Sequence, residues 1–458
     1  MNSQKMGEKT ILLENKKKFF TYFIARRLIE CPSCGLLQIR PIIQQGEKMS
    51  CCRCHKELLR HPLSKKWSFP FAFTISSVIL YIVMISFPLL SIDLYGRTNQ
   101  LGVFKGTVEF INQGWNAVGI LVGLVVTFFP MLVIGLMVLI LYFSRKKKLP
   151  SFFPKLLMSY QTLRPWSMIE VYILGVFVAY TKLIDMAHVE LQISLYAIVL
   201  LMITMAVTDG CVDFAEFWSR CSLSNKKFYS ELDINSQGKK WLEVKNNNAF
   251  VSCECCQLVI LADTSQAIAL LKRCPRCGKK LHRRKPNSLS RSMSLLIAAL
   301  IFYIPANLYP IMHTTMMGKE SNHRIFGGVL ELWDNQMIPL ALLVFFASIL
   351  VPVLKISGLS VMIGASLFKS KRFLLERSRL FQIICWVGRW SMIDVFMISI
   401  LIALIKFSSL ATVKADLGIV MFAAVVVLTI FAADVFDPRL MWDYAGLNGM
   451  VFKKSKNV

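Results

Sequence analysis

Acidic side chains are scarce in this chain, and the catalytic signatures that polar residues build are missing. Only 27 of its 458 residues are Asp or Glu, against 53 Lys and Arg. There is no GxxxxGK[ST] loop to cradle ATP phosphates, no HExxH helix to hold a hydrolytic zinc, and no GxSxG nucleophile elbow. The six histidines are scattered without metal-ligand spacing, and no nucleophile stands beside a base. Enzymatic chemistry is therefore not expected. Charge of any sign is also sparse, at 17% of residues, while hydrophobic residues reach 55% and mean hydropathy is +0.54. That balance excludes an ordinary soluble protein and places the chain among polytopic membrane proteins. No cleavable signal is expected either. The N-terminus stays polar and basic as far as Lys66, so the first apolar run reads as a retained helix.

A membrane-crossing helix needs about 20 apolar residues. Eight stretches qualify: 68–92, 115–143, 166–187, 190–214, 289–312, 338–367, 385–410 and 415–436. Very short links make the third and fourth, and the seventh and eighth, read as helical hairpins. None has the alternation of a transmembrane β-strand. The net charge of +26 would suit a nucleic-acid ligand, but its distribution has a simpler origin. Lys16-Lys17-Lys18, Arg145 to Lys148, the 215–288 link and the loop from Lys369 to Arg379 are all basic, whereas the alternate loops are nearly neutral. This is the positive-inside asymmetry. It puts both termini in the cytoplasm, and nucleic acid is not needed to explain the charge.

The chain is written twice. Cys31-x2-Cys34 and Cys51-x2-Cys54 recur as Cys253-x2-Cys256 and Cys274-x2-Cys277. Phe87-Pro88-Leu89-Leu90 falls on Tyr309-Pro310-Ile311-Met312, Pro130 on Pro352, and Trp166-Ser167-Met168-Ile169-Glu170-Val171 on Trp390-Ser391-Met392-Ile393-Asp394-Val395. Asp213 and Trp218 fall likewise on Asp437 and Trp442. A register this regular implies a tandem duplication. The fold class that follows is an all-α polytopic membrane protein, with eight transmembrane helices as two parallel four-helix repeats and two small cytoplasmic β zinc ribbons. Its parts are a basic N-terminus (1–30), ribbon 1 (31–60), repeat 1 (67–218), a linker (219–248), ribbon 2 (249–284), repeat 2 (289–442) and a basic tail (443–458).

Paired CxxC knuckles, each offering two thiolates from a tight turn, match the tetrahedral S4 site of a structural Zn2+. The expected ligands are Cys31, Cys34, Cys51 and Cys54 for one ion and Cys253, Cys256, Cys274 and Cys277 for the other. Disulfides are disfavoured in a reducing cytoplasm, and redox CxxC chemistry lacks its βαβ setting. Four protein ligands close the shell, so such a site folds a domain and does not catalyse. Cys52 and Cys255 break the spacing and are spare, and His55 is superfluous.

Ionisable residues inside the apolar runs are costly and so become functional candidates. Lys182 and Lys406 occupy equivalent places near the outer ends of helices three and seven, with snorkelling to the interface as the competing reading. Asp185 lies one helical step from Lys182. Lys355 sits three residues after Pro352 in mid-helix and has Val133 as its counterpart, so it belongs to one repeat alone. Together with Ser399, these residues are expected to line a polar transport cavity. Glu170 and Asp394 read as acids complementing helix N-termini. Pro130 and Pro352 should kink their helices, and Pro88 and Pro310 should shape the helix exits. Asp437-Pro438-Arg439 reads as a capped turn.

Two cysteine ribbons, each ahead of four helices, with WSMI[ED]V at the third helix of each repeat and Phe436-Asp437-Pro438-Arg439-Leu440-Met441-Trp442 after the last, resemble the paraquat-inducible protein A family. The resemblance runs from about Cys31 to Asp443. It implies a multi-pass protein of the Gram-negative inner membrane that partners an MCE-domain protein forming a hydrophobic tunnel across the periplasm. The pair would move phospholipid between the membranes and protect the envelope. A scaffold that only anchors the MCE protein and docks regulators on its ribbons is the alternative.

Overall fold

The computed structural model of the chain describes residues 22–25, 28–41, 44, 46–60, 68–94, 97–184, 188–222, 229–231, 249–262, 271–316, 319–334, 336, 338–405 and 411–446. From the N-terminus come five short strands, β1 (Tyr22–Ala25), β2 (Leu28–Glu30), β3 (Leu37–Ile39), β4 (Lys48–Ser50) and β5 (Glu57–Arg60). Helix α1 (Ser68–Ser86) follows, then the hairpin of β6 (Leu90–Leu94) and β7 (Arg97–Leu101), and the short helix α2 (Val103–Asn112). Next are α3 (Asn116–Ser144), α4 (Phe153–Ile184), strand β8 (His188–Leu191), α5 (Ile193–Cys211) and the short α6 (Phe214–Arg220). Strands β9 (Tyr229–Glu231), β10 (Ala249–Ser252) and β11 (Val259–Ala262) lead to the second half of the chain. There the same succession returns: α7 (Ser288–Leu308), β12 (Met312–Met316), β13 (Lys319–His323), α8 (Ile325–Asp334), α9 (Ala341–Leu367), α10 (Leu374–Leu404), β14 (Ala411–Ala415), α11 (Leu417–Val435) and α12 (Arg439–Tyr444).

Eight of these helices, α1, α3, α4, α5, α7, α9, α10 and α11, are long and apolar enough to cross a membrane. The protein is a mostly helical, multi-pass membrane protein, as composition required. Its helix ends depart from the apolar runs for identifiable reasons. The first run continues to residue 92, but α1 stops at Ser86 because Pro88 has no N–H and forces its predecessor into an extended conformation. Leu90 and Ile92 are then buried strand residues, which extend the apolar run without extending the helix. Helices α4 and α10 begin earlier than residues 166 and 385, through amphipathic turns whose Lys155, Gln161, Glu376 and Arg377 had masked them. The expected tight helical hairpins are also longer connections, each carrying a strand, β8 or β14.

Those strands complete two antiparallel three-stranded sheets, ordered β7-β6-β8 and β13-β12-β14, at the end of the helices away from the cysteines. Within the helical body α1 lies along α5 and α7 along α11, while α4 crosses α10. Backbones come close at that crossing because Gly175 has no side chain: a Cβ built there would stand 2.9 Å from Cβ of Phe396. Helix α2 from the first half also packs on α10, beside Ser399. Enclosed on all sides, every residue from Ile393 to Leu404 is buried. Helices α1 and α7 sit at the periphery and expose rows of Ile and Leu such as Ile79, Ile82, Ile301 and Ile304, the surface expected against lipid.

Pro130 and Pro352 do not break their helices. A five-residue π-helical turn, Leu124–Phe128 or Phe346–Leu350, ends two residues ahead of each proline and absorbs the missing donor. At the other pole, β2-β3 and β4-β5 are two hairpins of the first cysteine domain, and β10-β11 with the Arg273–Lys280 bridge builds the second. Strand β1, which sequence placed in the basic N-terminus, pairs antiparallel with β11 of the second domain, and β9 from the linker pairs parallel with β1.

Candidate functional site

The eight candidate ligands form two buried clusters, Cys31, Cys34, Cys51 and Cys54, and Cys253, Cys256, Cys274 and Cys277. In each, all four Sγ atoms lie within 4.8 Å of one another. The closest pairs, Cys31–Cys54, Cys34–Cys51 and Cys256–Cys274 at 3.5 Å and Cys253–Cys277 at 3.4 Å, are far too long for an S–S bond of about 2.05 Å. They are close to the roughly 3.8 Å between sulfurs of a tetrahedral site with bonds of about 2.3 Å. The donor set thus fits a four-coordinate metal ion.

Local backbone explains why. In every knuckle the residue after the second cysteine has positive φ: Gly35 at 69°, His55 at 57°, Gln257 at 55° and Gly278 at 77°. The left-handed turn lets that residue's N–H bond back to the carbonyl of the first cysteine, at 2.9–3.0 Å in all four cases. His55 is exposed and serves this turn, not the metal. Gln38 Nε2 donates to Cys51 Sγ at 3.0 Å, a contact that spacing alone does not reveal.

The two cysteine domains are seated crosswise. The first packs against the second half of the chain, where the Arg53 guanidinium lies 5.0 Å from the Trp442 ring and Cys34, Cys54 and Leu36 share a core with Phe381 and Phe436. The second lies against the first half, where Cys255 Sγ faces Gln161 Oε1 at 3.5 Å. A buried ionic clamp holds both. Arg439 makes a bidentate pair with Asp437, at 2.9 and 2.8 Å, and reaches Glu254 at 3.2 Å and Glu30 at 3.5 Å. Arg284 bonds Glu30 at 3.0 Å and Asp443 at 2.6 and 3.1 Å. Burial pulls the Arg439 pKa down, but the bonds to Asp437 and the charges of Glu30 and Glu254 carry it above the ordinary arginine value. Burial likewise pushes Asp437 up, and its bonds from Arg439 bring it below the ordinary aspartate value. The turn read as a simple cap is therefore the hub of an ion network.

In the helical body Lys355 is 1% exposed and its Nζ donates to Thr429 Oγ1 at 3.4 Å, with Gly388 making room for its stem. No carboxylate pairs with it among the described residues. Ser399 lies instead against Gly106 of α2, and Lys182 approaches Gly328 of α8, a built Cβ there standing 3.8 Å from Nζ. Lys355, Ser399 and Lys182 thus have different neighbours. Asp185 and Lys406 fall outside the described residues. Glu170 sits in a first helical turn and pairs with Arg164 at 3.5 Å, in agreement with its helix-end reading.

Asp394 stands in the equivalent first turn, directly after the 3-10 turn Gly388–Met392. Unlike the exposed Glu170, it is 4% exposed. Its carboxylate faces the Ser348 hydroxyl without closing a hydrogen bond, and Lys182 is the cation whose charge reaches it. Ser391 Oγ and its counterpart Ser167 Oγ are also buried without a partner among the described residues. Ser348 belongs to the π-turn before Pro352, and Ser391 and Asp394 to the repeated WSMI[ED]V element. Ser348 and Thr429 gave no signal in the sequence beyond being hydroxyls in apolar runs.

The profile of the family described as "Paraquat-inducible protein A" matches residues 68–222 and 289–445. The chain is 28% identical over 423 residues to the "Intermembrane transport protein PqiA" of Escherichia coli (strain K12), covering 92% of this chain and 96% of the relative. It is 29% identical over 415 residues to the "Lipophilic envelope-spanning tunnel protein A" of the same strain, covering 90% of each. A "Probable intermembrane transport protein" of Haemophilus influenzae is 25% identical over 424 residues, 91% of this chain and 96% of that one. No solved structure matches the chain.

Proposed function

Because this chain belongs to the paraquat-inducible protein A family, we propose that it is the inner-membrane component of an MCE-type lipid transport system. It loads phospholipid into, or accepts it from, a periplasm-spanning tunnel formed by an MCE-domain partner. The relatives' names supply the transport class. The positive-inside asymmetry supports cytoplasmic ribbons and termini, with the two three-stranded sheets facing the periplasmic partner. The recurrence of elements at a nearly constant register supports two parallel four-helix repeats about an axis along the membrane normal.

One observation favours transport over anchoring. Lys355 and Asp394 are sealed inside the membrane body without forming an ion pair with each other. A charge there costs about 2.5–3.5 kcal/mol even on the lenient insertion scale, and an anchor has no use for it. In our reading, Lys355 with Thr429, and Asp394 with Ser348 and Ser391, form the polar lining that opens when α9 moves about its π-turn. Lys182, whose charge reaches Asp394, and Ser399 continue that lining outward. A headgroup or a proton then has a chargeable path through the second repeat.

Zn2+ suits both thiolate clusters and supplies four bonds that hold each ribbon folded. Around it, Gln38 orients Cys51, and the positive-φ turns aim the sulfurs inward. The ribbons themselves carry no transport step.

Photocrosslinkers placed at positions 348, 355, 394 and 429 in cells, followed by mass spectrometry of the adducts, test this reading. Attached phospholipid that disappears in Lys355→Ala is expected. Absence of phospholipid adducts at these positions, with full envelope resistance in Lys355→Ala, would leave only the scaffold.

A further inference from the structure

Exposed apolar surface is not confined to the membrane-length helices. The short helices α2 and α8, at the pole away from the cysteines, each expose three apolar residues at i, i+4 and i+7: Phe104, Val108 and Ile111 on one, Phe326, Leu330 and Trp333 on the other. The two stripes fall on one another in the repeat register. A second face of each helix is buried, through Val103, Gly106 and Phe110 or through Ile325 and Val329. A third face, about 100° round from the stripe, carries Lys105, Glu109 and Asn112 in α2 and Gly327, Glu331 and Asp334 in α8. An apolar face beside a polar one suits a helix lying in the plane of a membrane interface. The stripes also lead onto lipid-facing surface. Ile120 on α3 and its counterpart Leu342 on α9 are exposed just beyond the positive-φ turns at Gly114 and Gln336.

The two helices are seated differently. Helix α2 is pinned to the second half of the chain. A Cβ built on Gly106 would clash with Ser399 Oγ and stand 3.0 Å from the Ser399 carbonyl oxygen. Just past α2, Gln113 Nε2 donates to the Val413 carbonyl at 3.2 Å, and its Oε1 accepts from the Ala415 N–H at 2.9 Å. Trp115 Nε1 donates to the Ala415 carbonyl at 3.2 Å. Under α8 there is room. A Cβ on Gly328, the counterpart of Gly106, meets only Lys182 Nζ within 4 Å among the described residues, at 3.8 Å. In the sequence Met337 stands in the place of Trp115, and a methionine side chain has no N–H to donate.

We infer that α8 lies in the periplasmic leaflet, with Phe326, Leu330 and Trp333 among the acyl chains, and is the movable cover of a lateral opening to Lys182 through which a phospholipid of that leaflet passes. Tryptophan at the end of the stripe is at home there, since membrane interfaces are enriched in it. Helix α2 has the same stripe and no room beneath it, so it anchors in the leaflet without opening. Lipid is the occupant because each stripe leads to an exposed apolar residue on a membrane-length helix, Ile120 or Leu342. The inference rests on the transport reading for its cargo, and it names the leaflet with which that cargo exchanges.

The test uses the full-length, metal-loaded protein in nanodiscs of phosphatidylethanolamine and phosphatidylglycerol, with an environment-sensitive fluorescent amino acid at position 108 or 330. A nitroxide carried on the lipid acyl chain should quench both positions, and iodide in the water neither. In cells, photocrosslinkers at positions 328 and 330 should capture phospholipid. Leu330→Glu puts a carboxylate among the acyl chains; it should lower capture at position 328 about tenfold, at unchanged abundance and zinc content. Val108→Glu, in a helix held by Gln113 and Trp115, should leave that capture unchanged. Quenching at position 330 by iodide alone, a protein adduct there in place of lipid, or capture at 328 that persists in Leu330→Glu would overturn the assignment. Phospholipid captured at positions 348 and 355 but not at 328 would overturn it while leaving the transport reading in place, and capture at none of them would remove both.

Discussion

At the scale of single residues, each metal knuckle depends on one left-handed backbone position, and two of the four are filled by residues that resist it. Gly35 and Gly278 adopt positive φ freely, whereas His55 and Gln257 pay about 1 kcal/mol each for the same turn. His55→Gly should therefore stabilise the first ribbon by about 1 kcal/mol, read as a slower loss of zinc to a chelator with unchanged metal content. No gain in metal retention would mean that the His55 side chain contributes to the knuckle in its own right. The thiolates are less forgiving. Cys31→Ser or Cys277→Ser leaves an incomplete shell in a domain whose folding energy is largely metal binding. Protein level should fall together with envelope function on immunoblots, and a variant that accumulates normally with two zinc ions yet is inactive would contradict a folding role. The eight thiolates were legible in the sequence because CxxC spacing is itself the geometry. The positive φ at His55 was not, because nothing in a histidine announces it.

At the scale of elements, the two π-turns show why composition located the helices but not their working parts. Hydropathy found all eight membrane runs, since burial in lipid or protein selects the same residue types. It could not separate helix α1 from strand β6, because Leu89, Leu90 and Ile92 are as apolar as the helix and buried against the same core. Nor could it show that Asp394 is buried where its counterpart Glu170 is exposed, because the two share one sequence element. The π-turn before Pro352 is the element with a testable consequence. Proline leaves one carbonyl of the preceding turn without a donor, and the wider turn absorbs this while carrying Ser348 toward Asp394. Pro352→Ala restores the N–H and favours regular α-helix, which rotates Ser348 by part of a turn. Expression should hold, but resistance in a sensitive deletion strain should fall well below wild type. Pro130→Ala, whose turn faces no carboxylate among the described residues, should be milder. Equal loss in both variants, or none in Pro352→Ala, would remove the π-turn from the mechanism.

At the scale of the molecule, the repeated register was visible in the sequence but the crossing of its parts was not. Nothing in the order of elements says that the first ribbon sits on Trp442, that strand β1 completes the second ribbon, or that Glu30 is shared by two arginines from beyond it. These are contacts between segments hundreds of residues apart, set by shape and charge and not by local pattern. The clamp they form at Arg439 is the joint between ribbons and helices. Its groups lie in a low-dielectric seam, where removing one partner strands the others: the Glu30 and Asp437 side chains are 2% and 1% exposed. Arg439→Gln should cost about 3–5 kcal/mol, the usual penalty for an uncompensated buried charge. In detergent this would appear as a markedly lower thermal unfolding midpoint at full zinc occupancy. Removing the stranded charge as well tests the cause. Glu30→Gln added to Arg439→Gln should recover part of the loss, whereas Glu30→Gln alone destabilises, since Arg284 and Arg439 then share less negative charge. Strictly additive losses in that cycle would show that Arg439 acts by packing alone, and the two ribbons would then be held by apolar contact and not by the ion network.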